Sequence, residues 1–284
     1  MIVYLDGKFV PEAEAVVSVF DRCFLYGDGL FEAIRLYQGK PFRWNQHFER
    51  LQAGARDLKI AIPQSADRLH VALGELWQRN DSPADAVVRL TLSRGVGTRG
   101  YSPASAIHPR MIMALHPLPS QQRCESFKII TSSVVVAAGD ALSKHKTCNK
   151  LHHVMARAEA DAAGAQEALI VNTKGFVAEA TSSNFFWIVE DAIFTPPFHA
   201  GAMAGITRSV VFEIAAQFQL RVSEVDFTPR DLRGVGGAFL STSSQELVEI
   251  TEIDGNALSR SSIFAKLKEA YRELVKKELE IDLF

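Results

Sequence analysis

The sequence has little of what would assign it to a specialised class of protein. Its 284 residues contain only three cysteines, Cys23, Cys124 and Cys148, and this odd, scattered set predicts no disulfide framework and indicates a reducing, cytoplasmic environment. No segment approaches the roughly 18 consecutive apolar residues of a membrane span. Residues 1–6 lack a basic region followed by a long apolar run, so no signal peptide is expected.

Charge of one sign is also missing. The formal net charge is −2, with 47% hydrophobic and 23% charged residues, which is an ordinary globular composition. We therefore expect no nucleic-acid partner and no membrane partner. The run Pro117-Leu-Pro-Ser-Gln-Gln122 predicts a domain boundary, with a small N-terminal α/β domain at 1–117, a linker at 118–123 and a larger C-terminal cofactor domain at 124–284.

Three common functional motifs are absent or incomplete. His152 and His153 are adjacent, not four residues apart on a helix, so no metal site is predicted. Gly95, Gly97 and Gly100 form a literal Gly-x-Gly-x-x-Gly, but Tyr-Ser-Pro follows without helical periodicity, which argues against dinucleotide binding. No Gly-x-Ser-x-Gly elbow of a serine hydrolase occurs.

The segment from Ser143 to Asn184 holds the chemistry. Lys146 precedes an amphipathic helical pattern whose apolar residues are Leu151, Val154, Met155, Ala158 and Ala162. Two strand patterns follow, Glu167–Val171 and Phe176–Val189, and the second contains Glu179. A lysine and a carboxylate so placed are what a pyridoxal phosphate enzyme requires, since the amine forms a Schiff base and the carboxylate keeps the pyridine nitrogen protonated. Taken singly, Lys146 is also compatible with a solvated charge and Glu179 with a half-exposed strand residue.

The longer motifs carry a family resemblance. Lys-Thr-x-Asn, Ala-Arg-x-Glu-Ala, Gly-Ala-x-Glu-Ala-Leu and Glu-Ala-Thr-Ser-Ser-Asn-Phe-Phe resemble the class IV aminotransferases, the fold type IV pyridoxal phosphate enzymes. These include branched-chain and D-amino acid aminotransferases and aminodeoxychorismate lyase. The resemblance covers nearly the whole chain. It implies that Lys146 forms the Schiff base, that Glu179 binds the ring nitrogen, and that the mixed α/β fold is D-amino acid aminotransferase-like, with the cofactor between two domains and a homodimeric assembly.

Arg50 is a candidate ligand of the cofactor phosphate. Asn45 is a suitable cap for a helix running to about Leu58, and Arg50 lies off the apolar stripe of that helix. The pattern alone favours a solvated arginine. The match to the family motif His-x-x-Arg-Leu implies a phosphate contact, for which the planar guanidinium is well suited.

Further phosphate contacts are implied later in the chain. Thr207 is predicted to cap a helix whose first N–H groups form an anion site, although capping alone also accounts for this threonine. The resemblance assigns phosphate contacts to Ile206 and Thr207. It also assigns them to Thr242 and Ser243, which lie in a predicted hydroxyl-rich loop, Ser241–Gln245.

The substrate residues implied by the resemblance are Phe31, Arg99 and Tyr101. Phe31 lies in Gly-Asp-Gly-x-Phe-Glu and would line the substrate pocket, while Arg99 and Tyr101 would hold the substrate carboxylate. D-amino acid aminotransferase has tyrosine and histidine where this chain has Phe31 and Tyr101. A surface glycine loop with a solvated Arg99 is the simpler alternative.

Three functions remain open. An aminotransferase acting on an amino acid and a 2-oxo acid is favoured, with branched-chain-like L-amino acids ahead of D-amino acids. Aminodeoxychorismate lyase is the alternative, because the string Arg94–Ser102 is closer to that enzyme. Glu32 and the Ser241–Ser244 loop resemble the transaminases instead, and the Asn-x-Leu of the lyase is missing. A non-catalytic binding protein on this fold is the third.

Overall fold

The computed structural model describes residues 1–118, 126–232 and 234–282. Its contacts divide the chain into two units. Of the described residues, the first unit contains 1–118 and 145–150, and the second contains 126–144 and the remainder from 151 onward. Of the predicted linker at 118–123, residues 119–123 lie outside the described residues.

An antiparallel sheet and three helices form the first unit. Its strands are β1 (Ile2–Leu5), β2 (Lys8–Pro11), β3 (Gly29–Tyr37), β4 (Lys40–Pro41), β5 (Asp85–Ser93) and β6 (Arg110–Pro117), and its helices are α1 (Arg22–Tyr26), α2 (Trp44–Asp57) and α3 (Ala66–Gln78). The described strands are ordered β2-β1-β6-β5-β3-β4.

Alternation along β3 and β5 decides which side chains enter the core of this unit. Leu30 and Ile34 of β3 and Val88 and Leu90 of β5 are buried in one cluster with apolar residues of α2 and α3. Because side chains alternate between the two faces of a strand, the intervening residues, Phe31 among them, lie on the opposite face.

Two helix starts in this unit differ from the sequence predictions. Helix α2 begins at Trp44, and its N-cap is Arg43 in a left-handed conformation with φ of 59°, so the predicted Asn45 cap is wrong. Helix α1 was not predicted. The Asp21 side chain caps it by accepting from the Cys23 N–H, and left-handed Gly27 ends it, so these residues form a short helix directly before β3.

The segment His145–Lys150 belongs with the first unit although its sequence neighbours belong with the second. The Phe31 N–H donates to the Lys146 carbonyl at 2.9 Å, and the Cys148 N–H donates to the Gly29 carbonyl at 2.9 Å. The prediction had placed this segment in the C-terminal domain. Its hydrogen bonds to the start of β3 are the physical reason that it groups with the first unit.

A mixed sheet and three helices form the second unit. The strands are β7 (Ser126–Val136), β8 (Glu167–Asn172), β9 (Val177–Ala180), β10 (Asn184–Val189), β11 (Ala192–Thr195), β12 (Arg221–Glu224), β13 (Gly237–Thr242), β14 (Glu246–Ile253) and β15 (Asn256–Ala257). The helices are α4 (Leu151–Ala162), α5 (Ile206–Gln217) and α6 (Ser262–Leu279). The described strands are ordered β12-β11-β10-β13-β14-β7-β8-β9, and β15 pairs with β14.

A buried carboxylate breaks what was predicted as one strand, Phe176–Val189, into β9 and β10. Glu167, 1% exposed, accepts hydrogen bonds from the backbone and hydroxyl groups of Thr181 and Ser182, including the Ser182 hydroxyl at 2.7 Å. Satisfying this buried carboxyl group requires donors that converge from a turn, which a continuous strand does not offer. Glu179 therefore stands just before a firmly held turn.

Helix α4 exposes the apolar residues that define its sequence pattern. Leu151, Val154 and Met155 are 66%, 61% and 51% exposed, whereas Ala156 and Ala160 are fully buried. The amphipathic helix is confirmed, but its large apolar side chains do not face the core of this chain. Among the described residues, no helix has the length and apolarity needed to cross a bilayer, and no cluster of metal-binding side chains occurs.

Candidate active site

Lys146 lies beside an aromatic ring on the face of β3 that points away from the core. Its Nζ is 4.7 Å from the centroid of the Phe31 ring, and both side chains are partly buried. The backbone hydrogen bond between these two residues holds the lysine at this position. The structure thus brings together two residues that the sequence analysis selected from distant motifs.

Arg89 joins this pair, although the sequence analysis missed it. Its guanidinium carbon lies 3.8 Å from the Phe31 ring centroid, which is a close cation–π contact. Ala33, the cross-strand partner of Arg89, is two residues from Phe31 on the same face of β3. The only sequence signal was an arginine at an outward position of an alternating strand. The first unit therefore presents an aromatic ring flanked by two cationic side chains.

Arg50 is engaged by a carboxylate inside the first unit. Its Nε donates to Glu32 Oε1 at 2.8 Å and its Nη2 to Oε2 at 2.5 Å, while His47 Nδ1 contacts Oε2 at 2.7 Å. Burial alone would raise the pKa of the fully buried Glu32, but the Arg50 charge and the hydrogen bonds from Arg50 and His47 lower it to about 2. Glu32 is therefore ionised, and it fixes the direction of the Arg50 guanidinium.

Arg22 anchors the backbone of the glycine loop that follows β5. This buried arginine pairs with Asp28 at 2.8 Å and donates to the carbonyls of Gly100, Tyr101 and Ser102. Arg99 is exposed, and Tyr101 is 88% exposed with its ring 5.7 Å from that of Tyr26. The backbone of the loop is thus anchored, while the two predicted substrate side chains stand at the surface.

Two thiols lie close together near Lys146, one of them in the segment His145–Lys150 itself. Cys23 and Cys148 are free and their thiols hydrogen-bond each other. The hydrogen bond to Cys148 and burial raise the pKa of Cys23 far above its ordinary value. The same hydrogen bond, together with the charge of Arg89, lowers the pKa of Cys148 despite its burial.

Glu179 is the carboxylate of the second unit. Its side chain, 11% exposed, accepts from the Met203 N–H at Oε2 (3.0 Å), and His153 Nε2 lies 3.1 Å from Oε1. An ionised carboxylate offers about four lone-pair positions, so these two donors leave room for another. Glu179 is therefore a fixed carboxylate with acceptor capacity for a ring N–H.

The same segment leads into the N-terminus of α5. Asn184 Nδ2 donates to the Met203 carbonyl at 2.8 Å, and a Cβ built on Gly205 would lie 2.0 Å from Asn184 Oδ1. Gly205, not Thr207, is the N-cap, and it offers no side chain to the helix. The predicted Thr207 cap is wrong because the closely packed chain at Gly205 already sets the helix start. Since no side chain caps α5, its first N–H groups are available to an anion.

The remaining predicted phosphate residues lie at the end of β13. Thr242 is the last residue of this strand and Ser243 follows it, so the predicted loop begins later than Ser241. Ser241 pairs with Asn184 across the sheet, and its hydroxyl is buried without a hydrogen-bond partner among the described residues. A buried orphan hydroxyl indicates a missing polar group. With Glu179 and the uncapped helix, the second unit fits a cofactor that carries both a ring nitrogen and a phosphate.

Comparison with known proteins identifies the family. The family model for amino-transferase class IV matches residues 29–253. A putative branched-chain-amino-acid aminotransferase of Methanocaldococcus jannaschii is 36% identical over 278 residues, with 96% of each chain covered. A D-alanine aminotransferase of Listeria monocytogenes is 30% identical over 285 residues, also with 96% of each covered. Aminodeoxychorismate lyase of Bacillus subtilis is 28% identical over 280 residues, with 98% of this chain and 95% of the lyase covered.

Solved structures agree. A branched-chain aminotransferase from Thermoproteus uzoniensis, crystallised with norvaline, has a TM-score of 0.91 and 30% identity, covering 99% of this chain and 96% of its own. A T.th. branched-chain amino acid aminotransferase, crystallised with pyridoxamine 5'-phosphate, has a TM-score of 0.89 and 28% identity, covering 97% and 94%. The chain therefore belongs to the class IV aminotransferases and is a pyridoxal phosphate-dependent enzyme that transfers amino groups.

Proposed function

We propose that this enzyme exchanges an amino group between a branched-chain or similar L-amino acid and a 2-oxo acid. The observation that carries the proposal is the contact between Phe31 and the amine of Lys146, at 4.7 Å from the ring centroid. An aromatic ring beside the reacting amine gives an apolar side chain a surface on which to be buried. The similarity to the Methanocaldococcus jannaschii relative supports the same substrate class.

Lys146 would hold the cofactor covalently, and its amine would carry the proton. When bound, pyridoxal phosphate supplies a carbonyl for the amino group and a ring that accepts electrons from the substrate Cα. The Lys146 amine would act as the general base that takes the proton from Cα, and it would deliver that proton to the cofactor carbon rather than back to Cα. Glu179 would accept a hydrogen bond from the ring N–H and so favour the charged form of the ring nitrogen.

The phosphate is bound by residues that the family match implies. Arg50 has its guanidinium oriented by Glu32. Ile206 and Thr207 supply N–H groups from the uncapped first turn of α5. Thr242 and Ser243 supply hydroxyl donors at the end of β13. Fixing the phosphate keeps the ring in place while substrates exchange.

Carboxylate recognition falls to cationic and hydroxyl groups of the first unit. We assign the α-carboxylate to Arg99 and Tyr101, as the family match implies. Arg89 is a second candidate, because its guanidinium stacks on Phe31 within the surroundings of Lys146. A planar guanidinium can donate two parallel hydrogen bonds to one carboxylate.

The second candidate function is that of aminodeoxychorismate lyase. The string Arg94–Ser102 favours it, and a lyase of Bacillus subtilis is 28% identical. A D-amino acid aminotransferase is the remaining variant of the first proposal, supported by the Listeria relative.

One assay separates these functions. The purified enzyme is mixed in turn with L-leucine plus 2-oxoglutarate, D-alanine plus 2-oxoglutarate, and aminodeoxychorismate. We expect glutamate and the 2-oxo acid of leucine in the first reaction. Pyruvate from D-alanine with no reaction of leucine would show that the enzyme acts on D-amino acids instead of L-amino acids. Pyruvate from aminodeoxychorismate, with no reaction of either amino acid, would establish the lyase.

We further propose a homodimer located in the cytoplasm, with domains at 1–117 and 124–284, except that the segment His145–Lys150 groups with the first. The exposed apolar residues of α4, Leu151, Val154 and Met155, support self-association because monomeric proteins rarely expose large contiguous apolar surface. Free Cys23 and Cys148 support a reducing compartment.

A further inference from the structure

The adjacent histidines rejected as a metal site differ sharply in their surroundings. Both lie in the first turn of α4, but His152 is exposed, whereas the His153 side chain is only 19% exposed. His153 shares its face of the helix with the fully buried Ala156 and Ala160. One histidine of the pair is thus directed into the second unit.

His153 contacts Glu179 directly. Its Nε2 lies 3.1 Å from Oε1, and the Glu179 side chain is 11% exposed. Because an ionised carboxylate only accepts hydrogen bonds, Nε2 carries a proton and donates. The second carboxylate oxygen accepts from the Met203 N–H at 3.0 Å. Each oxygen of Glu179 is therefore held by its own donor.

We propose that His153 is a positioning residue for Glu179, which it holds in one orientation toward the cofactor ring nitrogen. The inference rests on the proposed role of Glu179. The hydrogen bond between His153 Nε2 and Glu179 Oε1 limits rotation of the Glu179 carboxylate. Without it, Glu179 rotates about its side-chain bonds, and its hold on the ring proton weakens.

The other imidazole nitrogen supports a dedicated role. Nδ1 of His153 is buried without a hydrogen-bond partner among the described residues. An unpaired buried nitrogen is unfavourable for stability. The contact with Glu179 is therefore the hydrogen bond that orients the His153 side chain.

The test compares variants of the two histidines in the cofactor-loaded enzyme. The readouts are the visible absorption band of the bound cofactor, kcat and KM with the amino donor that the enzyme converts, and the melting temperature. His153→Leu removes the donor. His153→Gln places an amide nitrogen where Nε2 stands, and His153→Asn places one nearer Nδ1. His152→Leu is the matched control on the exposed face.

We expect His153→Leu and His153→Asn to lower kcat about tenfold and to shift the cofactor band, with KM little changed, since a charge-assisted hydrogen bond is lost. His153→Gln should recover kcat to within about threefold of the wild type. His152→Leu should behave as the wild type. The contrast between Gln and Asn retains its meaning even where the leucine variant fails to fold.

Two outcomes would overturn the inference. Wild-type kcat and an unshifted band in His153→Leu and His153→Asn would show that Glu179 needs no such support. Equal losses in His153→Gln and His153→Asn would show that the donor position does not matter. The variant Glu179→Gln separates the role of His153 from the proposed function. Full activity of Glu179→Gln would refute the role of Glu179 itself. Impaired Glu179→Gln together with unimpaired His153 variants would refute only the role of His153.

Discussion

Replacing Glu32 by glutamine should destabilise the protein strongly. Glu32 is fully buried among the core-facing residues of β3. Its carboxylate accepts hydrogen bonds from Arg50 Nε and Nη2 and contacts His47 Nδ1. Glutamine keeps the size of the side chain but removes its charge, so Arg50 loses this ionic partner in a largely buried position. Breaking one side of a buried ion pair costs about 3–5 kcal/mol.

The same carboxylate predicts an acid limit to stability. The folded-state pKa of Glu32 is about 2, below the ordinary 4.5, because Arg50 and His47 outweigh the effect of burial. A lowered pKa contributes stability above the unfolded-state value and loses it as pH falls from about 4.5 toward 2. The contribution is roughly 3 kcal/mol, and Glu32→Gln should lack this part of the acid dependence.

Urea denaturation of the cofactor-loaded enzyme at pH 7 and at pH 4 measures both effects. Glu75→Gln is the matched control, since Glu75 pairs with Arg79 on the surface, with the two side chains 45% and 50% exposed. That change should cost less than about 1 kcal/mol. A free energy of unfolding for Glu32→Gln within about 1 kcal/mol of the control would refute the reasoning about the buried pair.

Two further predictions concern the proposed surroundings of the cofactor. Gly205→Ala should weaken cofactor binding, because the new Cβ would collide with the Asn184 amide that donates to the Met203 carbonyl. The control Gly74→Ala has open space around the new Cβ and should leave the affinity unchanged. Equilibrium titration with the cofactor measures both affinities. Unchanged affinity of Gly205→Ala would contradict the close packing before α5. Iodoacetamide should alkylate Cys148 faster than Cys23 near pH 8, because their mutual hydrogen bond lowers the pKa of Cys148 and raises that of Cys23. Mass spectrometry of the two cysteine peptides measures the two rates, and equal rates would contradict the prediction.

Strand and helix periodicity were readable from the sequence because they are local. The strand predicted at Glu167–Val171 is observed at Glu167–Asn172, and the helical pattern from Leu151 to Ala162 is observed as helix α4 with those ends. The pairing of the Lys146 segment with β3 was not predictable in this way. It joins residues more than a hundred positions apart, and no local pattern encodes such a contact.

Helix starts show how packing overrides local preference. Thr207 and Asn45 are good capping residues by type, yet the observed caps are Gly205 and Arg43. At Gly205 the neighbouring Asn184 leaves no room for a side chain. Capping preferences are worth about 1 kcal/mol, so a tight backbone contact easily outweighs them.

The residues that sequence reasoning missed are those whose role depends on a partner in another element. Arg89 reaches Phe31 from the neighbouring strand, and His153 reaches Glu179 from helix to sheet. The exposed Leu151 of α4 illustrates the converse, because periodicity identifies an apolar face without identifying what covers it. Motifs located the lysine and the carboxylate, while only the folded chain locates what surrounds them.

Covalent labelling tests the central claim most directly. The cofactor-loaded enzyme is reduced with borohydride, which makes the bond between lysine and cofactor permanent, and the modified peptide is located by mass spectrometry. The account predicts the label on Lys146 and none on the neighbouring Lys144 or Lys150. A label on either neighbour, or none on this segment, would contradict the assignment of Lys146 as the residue that binds the cofactor.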